Sequence, residues 1–280
     1  MKILVTGGAG FIGTNLIKKL LQEGHTVQSL DNYDSGLKEN EIEGCQYFNS
    51  DVRSIFSMEN YDLIYHLAAL SRIQPSFNNP QNTFDINTAG TQEVCDFARQ
   101  TKTKVIYSGS SSRWHNPHIS PYACYKHVGE EICKMYRTSF NTDIEIVRFY
   151  NVYGPHEIVD GDWAAVIGVW RRQVRDGQPL TIVGDGEQRR DFTHVDDIVD
   201  GLYKIGTSNE KHEDAWELGT GKNYSINEVA DMLVEKFGCK KQYIPNQKGN
   251  YRETLRENND AIERLGWKPS DKLRQYIQSL

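Results

Sequence analysis

The stretch Thr6-Gly-Gly-Ala-Gly-Phe-Ile-Gly13 limits what this chain can fold into more than any other. In front of it, Lys2 to Thr6 is a short β-branched run that reads as a buried strand. Behind it, Phe11, Ile12, Leu16 and Leu20 recur at helical spacing until Gly24 ends the pattern. Thr26 to Leu30 is a second strand, closed by Asp31. The order is strand, helix, strand, with glycines at the first turn. Gly7 permits the tight turn, Gly10 lets a ligand approach the backbone, and Gly13 lets the helix pack against the strand. The free N–H groups and positive end of the helix then face that ligand, an arrangement suited to a pyrophosphate.

The glycine loop therefore predicts a dinucleotide site, with Gly7, Gly10, Phe11, Ile12 and Gly13 as candidate contacts. A glycine pattern alone is weak evidence, but here a strand precedes it and a helix follows. Asp31 stands where an acid is needed to accept hydrogen bonds from both hydroxyls of an adenosine ribose, with Asn32 beside it. The same carboxylate would repel a 2′-phosphate, which favours NAD over NADP. Read alone, Asp31 also fits a plain turn in Asp31-Asn-Tyr-Asp34. Asp51-Val52 lies where a third strand ends and is placed to meet the adenine, or simply to turn the chain.

The alternation continues. Strands are expected at Tyr61–Leu67, Lys104–Tyr107 and Ile144–Arg148. Helices are expected at Asn87–Gln100 and at Tyr122–Phe140, the latter opened by Ser120 as cap and Pro121 in the first turn. Strands alternating with helices imply an α/β fold, a doubly wound parallel sheet of Rossmann type covered on both faces. After Tyr153-Gly-Pro155 the texture changes. Helices near Ala164–Asp176, Val195–Ile205 and Ile226–Phe237 are separated by turns such as Val183-Gly-Asp-Gly186. We expect residues 1–155 to form the cofactor-binding domain, with about 190–220 returning to it. Residues 156–280 should form mainly a smaller C-terminal, substrate-binding lobe.

A chain of 280 residues, 38% hydrophobic and 25% charged, can bury a core without staples. Its net charge of −6 argues against general nucleic-acid binding. Arg171, Arg172 and Arg175 cluster, as do Arg189 and Arg190; such clusters are usually solvated, but they can also hold a phosphate. The five cysteines form no C-x-x-C pair and no metal-ligand spacing, so no metal is expected and reduced cytoplasmic thiols are the simplest reading. No apolar stretch approaches the ~18 residues of a membrane helix.

Three side chains suggest chemistry. Tyr122 and Lys126 are four apart on an expected helix and share a face. Ser110 follows the strand Val105-Ile-Tyr107, at the sheet end where such folds bind ligands. A tyrosine is a poor base, with an unperturbed pKa near ~10. The ammonium of Lys126 and the positive nicotinamide ring would favour its phenolate. Lys126 can also hold the nicotinamide ribose, and Ser110 can orient a substrate hydroxyl. Together they can deprotonate an alcohol while hydride leaves its carbon.

At this point the chain resembles the extended short-chain dehydrogenase/reductase family, specifically its nucleotide-sugar epimerases and dehydratases. The resemblance runs along nearly the whole chain. It rests on the glycine loop, His66-Leu-Ala-Ala69, Asn87-x-x-Gly90-Thr91, Tyr122-x-x-x-Lys126, Arg148-Phe-Tyr-Asn-Val-Tyr-Gly-Pro155, Gly184-Asp-Gly-Glu-Gln-Arg-Arg-Asp-Phe192, His194-Val-Asp-Asp197 and Leu265-Gly-Trp267. It implies tightly held NAD, contacted also by Leu67, Ala68, Ala69 and Tyr150, and a nucleoside-diphosphate-sugar in the cleft between lobes. Ser111, Ser112 and Asn151 would then touch the substrate, and Arg190 would pair with its diphosphate. A homodimer is also implied, through a four-helix bundle of the Asn87–Gln100 and Tyr122–Phe140 helices, although the apolar Val128, Ile132, Met135 and Tyr136 would equally serve to cover the sheet.

What surrounds the three side chains decides the reaction. Dehydratase relatives carry an Asp-Glu pair after the serine position, and decarboxylase relatives a glutamate two residues beyond it. Here Ser110 is followed by Ser111-Ser112-Arg113, and no carboxylate appears before Glu130. What remains resembles a UDP-hexose 4-epimerase. The chain departs from that pattern in three places. The loop Arg113-Trp-His-Asn-Pro-His-Ile119 is short and lacks a Tyr-Gly pair, so Arg113, Trp114 and His115 are expected to line the sugar pocket differently. Gln247 replaces a phosphate-binding arginine, for which Lys248 or Arg252 can substitute. Thr254 stands at the position that gates the pocket and is small enough to admit an N-acetyl sugar. A second enzyme reading is an epimerase, dehydratase or reductase acting on a GDP-, CDP- or dTDP-sugar, since nothing in the sequence identifies the base. A non-catalytic NAD-binding scaffold is the reading of another class, and the intact Ser110, Tyr122 and Lys126 count against it.

Overall fold

The computed structural model describes all residues 1–280. Its centre is a seven-stranded parallel sheet. The strands are β1 (Lys2–Thr6), β2 (Thr26–Asp31), β3 (Gln46–Asn49), β4 (Leu63–His66), β5 (Lys104–Ser110), β6 (Ile144–Phe149) and β10 (Trp216–Leu218). They lie in the order β10-β6-β5-β4-β1-β2-β3, every neighbouring pair parallel. The chain winds outward from β1 in both directions, so the order reverses between β1 and β4. In open parallel sheets ligands settle in the crevice at that reversal, beyond the carboxyl ends of the strands.

Period-two alternation sends the strand residues to two cores. Ile3 and Val5 of β1, and Leu63 and Tyr65 of β4, face one side. There they meet Leu16, Ile17 and Leu20 of α1 (Phe11–Gln22) and Ile198, Leu202 and Ile205 of α7 (Val195–Thr207). Leu4 and Ile64 face the other side. There they meet Val94, Phe97 and Ala98 of α4 (Gly90–Thr101) and Cys133 and Tyr136 of α5 (Pro121–Phe140). The helix expected from Asn87 is the second half of a continuous one: α3 (Pro80–Phe84) runs through a π-helical turn over Asp85–Ala89 into the regular α4 at Gly90. The wider turn leaves the Asn87 side chain free to bond both the N–H and the carbonyl of Leu70 (2.8 and 2.9 Å).

The rest of the chain builds a third core. A three-stranded sheet contains β7 (Asn151–Tyr153), β9 (Arg189–His194) and β11 (Asn223–Ser225), in the order β11-β9-β7. A two-stranded one pairs β8 (Leu180–Val183) with β12 (Lys241–Ile244). Trp170 of α6 (Val166–Arg175), Val229 and Leu233 of α8 (Ile226–Phe237), and Ile277 of α10 (Leu273–Ser279) pack with Leu180 and Ile182. α8 opens with a capping box in which Ser225 and Glu228 satisfy each other's backbone N–H. Two short helices, α2 (Ile73–Asn78) and α3 (Pro80–Phe84), sit before α4, and α9 (Asp260–Leu265) precedes Trp267. Trp216 and Trp267 are fully buried, and each indole N–H is satisfied, by Glu145 and by the Asp197 carbonyl (both 2.7 Å). No helix is long and apolar enough to cross a membrane.

Candidate active site

One cavity of about 630 Å³ runs along the carboxyl ends of β1, β4 and β5 and under the second sheet. The glycine loop forms one end. Gly7 has φ +74°, a region that side chains avoid. A Cβ on Gly13 would overlap the Gly7 carbonyl oxygen and come within 2.7 Å of the Gly8 Cα. Gly10 begins α1 with no side-chain cap, and the first turn of α1 holds no acid. Its N-terminal N–H groups are therefore left for an anionic ligand.

Asp31 closes β2 at the same end. Its Oδ2 accepts from the Ala9 N–H (2.9 Å) and its Oδ1 from the Tyr33 N–H (2.8 Å). Burial pushes its carboxyl above the usual range, and these two bonds pull the other way. Each oxygen keeps a lone pair for a further donor such as a ribose hydroxyl. Asn32, Val52, Leu67, Ala68 and Ala69 line the same wall. Asp51 does not. Its carboxylate is taken up by the N–H and guanidinium of Arg53 (2.8, 2.8 and 3.0 Å), where it caps a short 3-10 turn. The bare helix end, the steric demand for glycine and the spare lone pairs of Asp31 together fit a dinucleotide.

The side chains expected to carry chemistry meet in the middle of the cavity. Ser110 is the last residue of β5, and its Oγ accepts from the Tyr122 hydroxyl (3.2 Å) and the Ser112 N–H (3.1 Å). Tyr122 lies in the first turn of α5, which Ser120 caps by accepting from the Ala123 N–H (3.1 Å). One turn on, Lys126 is buried and donates to the Ser108 carbonyl (2.8 Å). Burial brings the Lys126 ammonium down to about 8, with Glu130 opposing. Burial pushes the Tyr122 phenol up, against the Ser110 hydrogen bond and the positive Arg72. The sequence assigned that cationic influence to Lys126; here Arg72 exerts it, and Lys126 points to Ser108.

The remaining candidates complete the wall. Ser111, Ser112, Tyr150, Asn151, Arg190 and Thr254 all line the cavity. The Tyr150 hydroxyl donates to Glu217 (3.0 Å), and Thr254 approaches Asn151 at 3.5 Å. Arg190 is nearly buried and forms no ion pair; its two terminal nitrogens donate to the Arg189 and Tyr251 carbonyls (2.8 and 2.7 Å).

Several expectations fail. Arg113, Trp114 and His115 lie outside the cavity wall. Arg113 pairs with Glu131 (3.0 Å), Trp114 donates to Glu217 (2.7 Å), and His115 stacks on Tyr251 with ring centroids 4.0 Å apart. The short loop thus reaches the cavity indirectly, through Tyr251, which lines it, and through Glu217, which Trp114 shares with Tyr150. Arg252 is tied at the surface to Asp185 (2.9 Å), and neither it nor Lys248 lines the cavity; Gln247 and Asn250 do. Arg171 and Arg175 pair with Glu157 and Asp160 (3.0 and 2.7 Å). Sequence reasoning missed Tyr251, Arg72 and Glu157, which no motif marks.

The family model that describes the NAD-dependent epimerase/dehydratase family matches residues 3–219. The chain belongs to that family. It is an NAD-dependent epimerase-type enzyme of the extended short-chain dehydrogenase/reductase group, and its cofactor is NAD. A UDP-glucose 4-epimerase of Mycolicibacterium smegmatis is 30% identical, over 99% of this chain and 96% of the relative. Among solved structures, a UDP-N-acetylglucosamine 4-epimerase of Methanobrevibacter ruminantium superimposes with a TM-score of 0.89 at 26% identity, over 99% of this chain and 96% of the relative. A UDP-glucuronic acid 4-epimerase of Bacillus cereus, in complex with UDP-glucuronic acid and NAD, gives the same score and identity, over 99% of this chain and 97% of the relative.

Proposed function

We propose that this enzyme inverts C4 of a UDP-hexose by way of a transient 4-keto sugar. The observation that carries this reading is the Tyr122–Ser110 hydroxyl pair beside the buried Lys126, in a cavity with no free acid at the serine. Asp31 and Asp34 lie at the glycine-loop end of the wall, Glu157 is held by Arg171 and Tyr276 (3.0 and 3.2 Å), and Asp162 stands in the segment before α6. Glu130, the first carboxylate after Ser110, is bonded to the buried Arg148 (2.9 Å). Elimination or decarboxylation would need an acid or base that this arrangement does not provide.

Gly7, Gly10, Phe11, Ile12, Gly13, Asp31 and Asn32 would hold the adenosine and phosphates, and Lys126 and Tyr150 the nicotinamide end. Bound there, NAD supplies the acceptor and donor of hydride at C4 and a positive ring that favours the Tyr122 phenolate. Ser110 orients the C4 hydroxyl toward Tyr122. Tyr122 takes the proton from that hydroxyl and later returns it. Lys126 holds positive charge one helical turn from Tyr122. Arg190, with no counter-ion of its own, takes the diphosphate. Thr254, small and beside Asn151, leaves room for an N-acetyl group, so UDP-N-acetylglucosamine is a substrate alongside UDP-glucose. The names of the relatives support the choice of UDP.

We also propose a homodimer through α4 and α5, whose outer residues include the exposed Met135 and Phe140. A cytoplasmic location accords with five free cysteines, among them Cys95 and Cys133 with sulfurs 3.8 Å apart.

Proton NMR of purified enzyme with a panel of UDP-sugars tests the reaction. The C4 epimer of at least one should accumulate. Tyr122→Phe should lower turnover by at least about a hundredfold while retaining NAD, since positioned proton transfer contributes roughly 10²–10⁴. Unchanged turnover in that variant would contradict the mechanism.

A further inference from the structure

The cavity wall holds a second arginine that the proposed reaction does not use. Arg72 lies in the loop leaving β4, at the same sheet edge as Ser110. Its Nε crosses to the Trp163 carbonyl in the segment before α6 (2.8 Å), and its Nη1 donates to the Ser71 carbonyl (2.9 Å). Its Nη2 makes no hydrogen bond with the protein. The acids in the wall on this side are Glu157 and Asp162, and neither forms an ion pair with it. Glu157 is instead engaged with Arg171 and Tyr276.

The following short helix fixes Arg72 relative to the chemistry. Ser76 of α2 accepts from the Tyr122 N–H (3.1 Å), so α2 is locked to the first turn of α5. The Arg72 charge is felt at the Tyr122 hydroxyl. A partly buried guanidinium with a free edge and no ion-pair partner, acted on by Glu157 only at longer range, carries a desolvation cost that an anionic ligand relieves and a neutral one does not.

Two other anionic groups are already provided for. The dinucleotide phosphates face the glycine loop and the start of α1. The substrate diphosphate is assigned above to Arg190, which is bonded to different backbone from Arg72. We infer that Arg72 binds an anionic group on the sugar itself, so that the preferred substrate is a nucleoside diphosphate hexose bearing a carboxylate, a hexuronate. The planar, two-pronged edge of a guanidinium suits a carboxylate. This rests on the nucleotide-sugar reading above and ranks the hexoses within it.

Calorimetric titration of the full-length, NAD-loaded enzyme tests the assignment, with UDP, UDP-glucose and UDP-glucuronate as probes. Wild type should bind UDP-glucuronate about tenfold more tightly than UDP-glucose, as expected for one added charge-assisted contact. Arg72→Gln should bring the two sugars to parity and leave UDP within about twofold; Arg72→Lys should keep part of the preference. Equal affinity of wild type for the two sugars overturns the proposal. So does an Arg72→Gln variant that weakens both sugars equally, which would make the arginine structural. Should that variant not fold, the wild-type ratio alone decides. Failure of UDP itself to bind would overturn the nucleotide-sugar reading, and this assignment with it.

Discussion

Lys126 shows how a single residue can serve function at a cost to the fold. Burial holds its ammonium near 8, below its ordinary 10.5. Below about pH 8 both folded and unfolded chains carry the proton, and the folded state bears the full cost of the buried charge. Between about 8 and 10.5 the folded chain releases the proton while the unfolded chain keeps it, so stability rises with pH. The net cost at neutral pH is on the order of 3 kcal/mol. Ligand-free Lys126→Met should therefore melt above wild type at pH 7, with the gap closing toward pH 10, and should show no turnover. Differential scanning fluorimetry across that range checks it; a variant that melts lower at pH 7 would mean that the ammonium stabilises the fold. Ser110, Tyr122 and Lys126 were legible in the sequence because helical spacing and a strand end place them without tertiary information. Arg72 and Tyr251 were not. Arg72 stands alone in a loop, and Tyr251 reaches the cavity because residues 252–254 pair with Arg189 and because His115 stacks on its ring.

At the scale of elements, the contact between β1 and α1 is the tightest constraint. A methyl on Gly13 meets backbone atoms of Gly7 and Gly8, which have no rotamer to escape into. Gly13→Ala should push α1 away from the strand and open the anion site. We expect it to lower stability by about 1–3 kcal/mol and to strip the purified protein of NAD, measured as cofactor released on denaturation. Full cofactor content in that variant would show that the helix end is not the phosphate site. The alternation of strand and helix was legible because apolar periodicity records burial directly. Local detail was less so. The helix expected from Asn87 begins earlier, because α3 runs through a π-helical turn into α4 without leaving helical backbone. The Arg113–Ile119 loop does not line the pocket wall: Trp114 is held by the buried Glu217, and the buried Arg148 guanidinium lies over its ring, 5.0 Å from the centroid. Those partners lie over thirty residues away, where no local pattern points.

The whole molecule places one cavity between a parallel sheet and a second set of strands, so cofactor and substrate share a single enclosure. Asp31 marks one end, Ser110, Tyr122 and Lys126 the middle, and Arg190 and Thr254 the far wall. With no free acid beside Ser110, the account requires that C4 be oxidised and then reduced, with nothing else lost from the sugar. The direct measurement is NMR of the wild-type reaction in D2O, with UDP-glucuronate and UDP-glucose as substrates. The account expects the C4 epimer to appear with ordinary hydrogen retained at C4 and with C6 intact. Deuterium at C4, release of carbon dioxide, or loss of an oxygen from the sugar would contradict it.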